Sequence, residues 1–136
     1  MTKADTENDK GGKPMHILKS GAAVALLVVI AGGGAAAAAD AEHGKALFET
    51  CAACHADRPD SLGPSLKGVV GRKSAALEDY RYSNPMKRAN LVWDEDNLRA
   101  YISDPQGKVK GNRMPFGGVS DPKDLDDIVA YLKTLK

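Results

Sequence analysis

The sequence has few cysteines, few aromatic residues and almost no net charge. Two cysteines cannot form a multi-disulfide scaffold or a four-thiolate metal site. The 19 Lys and Arg against 18 Asp and Glu leave a formal charge of +1. A protein that binds nucleic acid normally has a clear excess of positive charge, so no nucleic-acid partner is expected. At 136 residues the chain is too short for a Rossmann fold, a TIM barrel or a kinase. Two Phe, one Trp and four Tyr make a thin core, so something besides side chains is expected to fill it.

Residues 1–39 differ in composition from the rest of the chain. A polar segment precedes an uncharged run from Gly21 to Ala39, and the end of this run is rich in alanine. A basic flank, a short apolar stretch and an A-x-A sequence ending at Ala39 are typical of a secretory signal peptide, although several cleavage registers fit. Residues 17–39 can instead form a membrane anchor, because about 20 apolar residues span a bilayer. We therefore expect a signal peptide or anchor over residues 1–39 and an exported domain over residues 40–136, periplasmic in a bacterium.

The exported part contains three segments with helical periodicity and no alternating strand pattern. The segments are residues 42–54, 96–103 and 122–135. In the last segment Asp121 is placed to cap a helix that has Pro122 at its first position. Apolar residues then follow at the spacing i, i+3, i+4, i+7, and these are Leu125, Ile128, Val129 and Leu132. The patterns predict a small all-α domain with three main helices and long loops.

A single motif, Cys-Ala-Ala-Cys-His at residues 51–55, carries most of the chemical information. On a helix, positions i, i+3 and i+4 share one face, so Cys51, Cys54 and His55 present together. Two thiols so placed can bond both vinyl groups of a haem while the adjacent imidazole takes an axial position on the iron. C-x-x-C-H is the attachment pattern of c-type haem. We therefore predict one haem c, attached covalently through Cys51 and Cys54, which also supplies the missing apolar bulk.

Three other uses of the two cysteines explain the sequence less well. A thioredoxin-type redox pair requires a βαβ setting that this chain lacks. A zinc site requires a second pair of ligands, and residues 40–136 contain only His43 and His55 as histidines. The two cysteines can also form a plain short-loop disulfide.

The second axial position of the iron has three candidate ligands in the exported part: Met86, Met114 and His43. Met114 lies in a loop over residues 111–118 whose glycines and proline fix its path. A thioether is a soft, neutral ligand that favours ferrous iron and raises the potential. Met114 can equally be a packing residue. Met86 is expected in an exposed basic loop, and His43 lies close to the haem-binding helix.

Several further segments follow the motif in chain order. They are residues 62–68 (LGPSLKG), 71–74 (GRKS), 80–83 (YRYS), 92–93 (VW), 98–105 (LRAYISDP), 113–116 (RMPF) and 127–132 (DIVAYL). With these segments, residues 42–132 resemble a class I cytochrome c of the mitochondrial and alphaproteobacterial kind. The resemblance implies the fold of that family, wrapped around one haem. The loop from His55 to Pro64 is shorter than in many members.

The resemblance also implies roles for residues around the haem. The carbonyl of Pro64 would accept a hydrogen bond from His55, which fixes the imidazole ring. Arg72 would lie near a haem propionate, and Tyr82 and Trp93 would hydrogen-bond the propionates.

The remaining implied roles concern the axial methionine and the packing of the terminal helices. Met114 would be the second axial ligand opposite His55, and Tyr101 would contact it. Tyr131 would face Gly44 where the first and last helices cross.

With both axial positions filled, the iron is limited to outer-sphere electron transfer. The resemblance implies a monomeric carrier, not an enzyme, that takes electrons from a quinol–cytochrome c reductase to a cytochrome oxidase or a photosynthetic reaction centre. The alternatives are a haem enzyme or gas sensor with an open or labile sixth position, and an anchored cytochrome subunit of one complex. Basic residues near the haem edge are candidates for partner contact, namely Lys67, Lys73, Lys87, Lys108, Lys110, Arg113 and Lys123.

Overall fold

The computed structural model describes Gly12 and residues 38–136, so most of the predicted signal peptide or anchor lies outside the described residues. The described part contains five helices: α1 (Ala41–Ala52), α2 (Asn84–Arg88), α3 (Glu95–Ser103), α4 (Pro105–Lys108) and α5 (Pro122–Leu132). Over the same residues there is no sheet, only an isolated antiparallel bridge between Lys73 and Val92. The predicted all-α class is confirmed. Within residues 38–136 no helix is both long and apolar enough to cross a membrane.

Aspartate side chains begin the three longer helices. Asp40 accepts hydrogen bonds from the backbone N–H groups of residues 42 and 43, and Asp94 caps α3 in the same way. Asp121 caps α5, and Pro122 is its first residue, as the sequence predicts. These carboxylates satisfy N–H groups that have no partner inside the helix.

Two predicted helices end earlier than their periodicity indicates. The helix predicted to reach residue 54 ends at Ala52, because the chain there tightens into a turn in which Cys54 and His55 both donate to the carbonyl of Cys51. The helix predicted to reach residue 135 ends at Leu132, and the bond from Leu135 to the carbonyl of Leu132 is of the tighter i to i+3 kind. Apolar periodicity continues through such turns and does not mark their start.

Helices α1 and α5 cross at Gly44, which is buried. A Cβ atom at this position would overlap the backbone carbonyl of Asp127. The sequence predicts Tyr131 opposite Gly44, but the nearest atoms belong to the backbone of Asp127 and Ile128. Tyr131 lies one turn further along, with its ring centroid 5.1 Å from that of Phe48. Only glycine allows this separation between the two backbones.

Met86 is buried in the core, which corrects the expectation that it lies in an exposed loop. Its side chain is only 8% exposed, and it belongs to the short helix α2. Ser83 caps this helix by accepting from the Met86 N–H, and Pro85 is in its first turn. The single turn directs Met86 inward while its neighbours Lys87 and Arg88 remain exposed.

A pair of antiparallel backbone segments holds the long loop between α1 and α2. Gly71 N–H donates to the Trp93 carbonyl at 2.9 Å, and Trp93 N–H donates to the Arg72 carbonyl at 2.8 Å. Trp93 is buried, with its ring 5.0 Å from that of Tyr101 in α3. The loop is therefore fixed to the core at the residues that the sequence assigns to the haem propionates.

The substitution Gly44→Ala tests the crossing. The added methyl group must push α1 away from α5, so we expect the free energy of unfolding of the holoprotein to fall by about 1–3 kcal/mol or more. Denaturant unfolding measures this change. The matched control is Lys45→Ala, the next residue of α1, which is exposed and should leave the stability within about 0.5 kcal/mol. Equal stability of Gly44→Ala and the wild type would show that the backbones are not in contact.

Candidate functional site

A large cavity opens beside the carboxyl end of α1, reaches the loop after α4 and is partly open to solvent. Its space is about 1120 Å³ including that open part. Every residue predicted for the site lines it. These residues are Cys51, Cys54, His55, Pro64, Arg72, Tyr82, Trp93, Tyr101 and Met114. Positions spread over 64 residues of sequence are thus brought to one place.

The two thiols lie at the end of α1 and in the turn that follows it. Both are free and half-buried. Burial raises the pKa of the Cys51 thiol, with a smaller contribution from Cys54 beside it. A redox-active cysteine pair needs a lowered pKa, so this environment does not favour a thioredoxin-type function.

His55 is held with one ring nitrogen engaged and the other available. Its Nδ1 lies 2.8 Å from the carbonyl oxygen of Pro64, so Nδ1 carries the proton and donates it. Gly63 packs against the ring, where a Cβ atom would be 2.5 Å from Cε1. Burial lowers the pKa of His55, which favours the neutral imidazole that binds metals. The unprotonated Nε2 is then the atom free to ligate.

Arg72 places a fixed positive charge on the cavity wall. Its guanidinium donates to the carbonyls of Ser65 at 2.8 Å and Lys67 at 2.9 Å. Both acceptors are neutral, so the charge of Arg72 remains available to an anionic group. Burial raises the pKa of the nearby Tyr82 hydroxyl, and the charge of Arg72 opposes that rise. A carboxylate such as a haem propionate fits this corner.

The loop that carries Met114 is organised by a buried amide. Asn112 donates to the carbonyls of Pro105 at 2.7 Å and Val109 at 2.9 Å, and its Oδ1 accepts from the Met114 N–H at 2.8 Å. Sequence reasoning missed Asn112, because an asparagine beside a glycine normally indicates only a turn. Tyr101 lines the same cavity, and burial raises its pKa to about 12, which keeps the phenol protonated.

The remaining lining is mostly apolar and includes residues that the sequence analysis did not assign to the site. They are Phe48, Leu62, Leu66, Val69, Leu98, Ile102, Phe116, Ile128 and Leu132, and the candidate ligand Met86 lines the cavity with them. Apolar walls, two thiols, a nitrogen donor, thioether donors and the cations of Arg72 and Arg113 together fit an apolar macrocycle with anionic side groups. Cys51 and Cys54 would hold a haem there, and when bound it supplies one-electron Fe(III)/Fe(II) chemistry.

The chain is similar to known cytochromes c. A family model described as cytochrome c matches residues 41–136. Cytochrome c2 of Agrobacterium tumefaciens is 42% identical over 99 residues, covering 68% of this chain and 89% of that protein. Cytochrome c of Euglena viridis is 45% identical over 100 residues, covering 71% and 98%. The structure of cytochrome cH from Methylobacterium extorquens is 46% identical, with a TM-score of 0.67, covering 70% and 98%.

The chain therefore belongs to the class I cytochrome c family. It is a monohaem electron carrier and not an enzyme, as the sequence predicts. Its cofactor is haem c, covalently attached through Cys51 and Cys54.

Gly63→Ala tests how the His55 ring is held. The new methyl group must displace the ring from the Pro64 carbonyl, so we expect a loss of about 1–3 kcal/mol in the free energy of unfolding of the holoprotein. Exchange of the His55 Nδ1 proton with solvent should also become faster, as measured by NMR. Gly117→Ala is the control, since a Cβ atom there meets nothing within 4 Å. Unchanged exchange in Gly63→Ala would contradict the described contact.

Proposed function

We propose that His55 and Met114 are the axial ligands of the haem iron. Three observations support the pair: Nδ1 of His55 is engaged with the Pro64 carbonyl, Nε2 is left for the metal, and the Met114 loop is fixed by Asn112 at the same cavity. Met86 also lines the cavity, but it lies in the short buried helix α2, whereas Met114 lies in a loop. A thioether opposite an imidazole stabilises ferrous iron and raises its potential.

With two protein ligands the iron has no position for a substrate, and electrons pass through the haem edge. The single observation that carries this function is the composition of the cavity wall. Among the described residues that line it there is no carboxylate, and the one histidine is His55, which is the proposed ligand. The wall therefore offers a substrate neither a carboxylate nor a second histidine, the groups that most often act as general acid or base. Outer-sphere transfer of single electrons is the chemistry that remains.

We propose that the carrier works in the periplasm of a bacterium, between a quinol–cytochrome c reductase and a cytochrome oxidase or photosynthetic reaction centre. The sequence of residues 1–39 supports export, and membrane anchoring through residues 17–39 is the alternative to its removal. The relatives named cytochrome c2 and cytochrome c support the position in an electron-transfer chain. We propose a monomer that makes small, transient contacts with its partners.

The basic residues predicted near the haem edge fall into two groups. Lys67 pairs with Asp57, and Lys123 pairs with Asp127, so a neighbouring carboxylate offsets part of the charge of each lysine. The others make no ion pair among the described residues, and they are Lys73, Lys87, Lys108, Lys110 and Arg113. Arg113 itself lines the cavity. We propose that this second group steers the carrier toward acidic partners.

Met114→Leu tests the axial ligand. Leucine keeps the volume and removes the sulfur, so we expect the midpoint potential to fall by about 0.1 V or more, within the roughly 0.8 V that axial ligands span. Redox titration of the holoprotein measures it. Met86→Leu is the matched control, because Met86 lines the same cavity and should change the potential far less. A larger fall in Met86→Leu than in Met114→Leu would reverse the assignment.

The double substitution Lys108→Glu with Lys110→Glu tests the steering group. Reversing two charges should lower the second-order rate of reduction by a purified bacterial quinol–cytochrome c reductase about tenfold at low salt. The difference should shrink as salt is added, because the charges are exposed and screened. Lys45→Glu, at an exposed lysine of α1 that does not belong to the proposed steering group, is the control. Equal losses in all variants would indicate a net-charge effect and no defined docking face.

A further inference from the structure

The amino end of the domain is bound by a buried carboxylate of α5. The Asp127 side chain is fully buried, and its Oδ1 accepts the backbone N–H of Asp40 at 2.7 Å. Its Oδ2 accepts from the Lys123 ammonium at 2.6 Å and lies 2.7 Å from Nδ1 of His43. Asp127 therefore connects the start of α1 to α5 through both of its oxygens.

This cluster carries more negative than positive charge. Three carboxylates, those of Asp40, Asp124 and Asp127, act on the single ammonium of Lys123. His43 lies between the two helices, 3.9 Å from Asp124. The backbone N–H of Asp40, the Lys123 ammonium and His43 hold the pKa of Asp127 well below its usual range, so its carboxylate is ionised at neutral pH. One more positive charge beside Asp127 would be stabilised.

The nitrogen of Asp40 is the first backbone group that the domain binds. Ala38 and Ala39 are exposed, and neither forms a hydrogen bond within the described part of the chain. The alanine run leaves several cleavage registers open, and one of them ends at Ala39 with an A-x-A sequence. Cleavage at that register would convert the Asp40 amide nitrogen into an amino group in place.

We propose that a signal peptidase cleaves the chain between Ala39 and Asp40, and that the resulting α-ammonium of Asp40 forms an ion pair with the buried carboxylate of Asp127. Hydrolysis breaks the Ala39–Asp40 peptide bond with one water: the hydroxyl joins the Ala39 carbonyl carbon and a hydrogen joins the Asp40 nitrogen. The amine then takes a proton from solvent. The proposal rests on the proposed export of the domain and not on its axial ligands.

The cleavage register decides whether the ion pair exists. In a chain that begins at Asp40, the α-ammonium is the Asp40 nitrogen, which lies 2.7 Å from Asp127 Oδ1. An end one residue earlier moves the amine by about 3.8 Å along the chain and leaves an amide in the site. The groups facing the amine are Asp40 and His43 at the start of α1, and Lys123, Asp124 and Asp127 on α5. Only Lys123 among them is a fixed cation.

The first test is the intact mass of the holoprotein, made from the full chain in a bacterium that exports it and attaches haem. The proposal predicts a chain that begins at Asp40. A chain that begins at any other residue, or one that keeps residues 1–39, would overturn the register. This result is independent of Met114 and of the electron-transfer partners.

The second test compares holoproteins whose exported chain is set to begin at Asp40 or at Ala38 by a leader of known cleavage. The pH dependence of acylation of the α-amine, followed by mass spectrometry, reports its titration midpoint. We expect the midpoint of the Asp40 form to lie about one unit or more above that of the Ala38 form. Equal midpoints would overturn the ion pair, and the comparison needs no substitution in the core.

The substitution Asp127→Asn tests whether Asp127 is the carboxylate that pairs with the α-ammonium. It should return the titration midpoint of the α-amine in the Asp40 form to that of the Ala38 form. Asp126→Asn is the matched control, because its carboxylate is on the same helix and pairs with Arg99 instead. The raised pKa of the amine means that its contribution to stability is present below the ordinary value of about 8 and is lost as the pH rises through the raised value.

Discussion

The close crossing of α1 and α5 is the constraint on which the site depends. Gly44 lets the backbones meet at the carbonyl of Asp127, and one turn later Phe48 packs on Tyr131. One further turn brings α1 to Cys51, and the tightening of the chain after Ala52 presents the remaining thiol and His55. The position of the haem-binding segment is thus set by a helix contact that begins at Gly44 and Asp127, which do not line the cavity.

The rest of the site is built from loops, and each loop is fixed by hydrogen bonds to backbone carbonyls. Pro64 orients His55, Asn112 holds the segment before Met114, and Arg72 spans the carbonyls of Ser65 and Lys67. Loops held this way position ligands without regular structure, because every buried side-chain nitrogen and oxygen of the described residues has a hydrogen-bond partner. This explains how a domain with few aromatics and short helices supports a defined site.

The sequence predicts the helices, the haem-attachment segment and the residues around the cavity, because each leaves a local pattern or resembles a family motif. It does not predict what depends on distant contacts. The basic neighbours of Met86 predict a surface position, but the helical turn capped by Ser83 directs its side chain inward. Asn112 and Asp127 have no distinguishing local signal, since their partners lie on other segments.

The central claim is that the iron is closed on both sides by protein ligands, and carbon monoxide tests it most directly. The absorption spectrum of the reduced wild-type holoprotein is recorded before and after the gas is added. The account predicts a haem c spectrum that does not change, because both axial positions are occupied. Formation of a carbonyl adduct at neutral pH would show an accessible sixth position and would contradict the account.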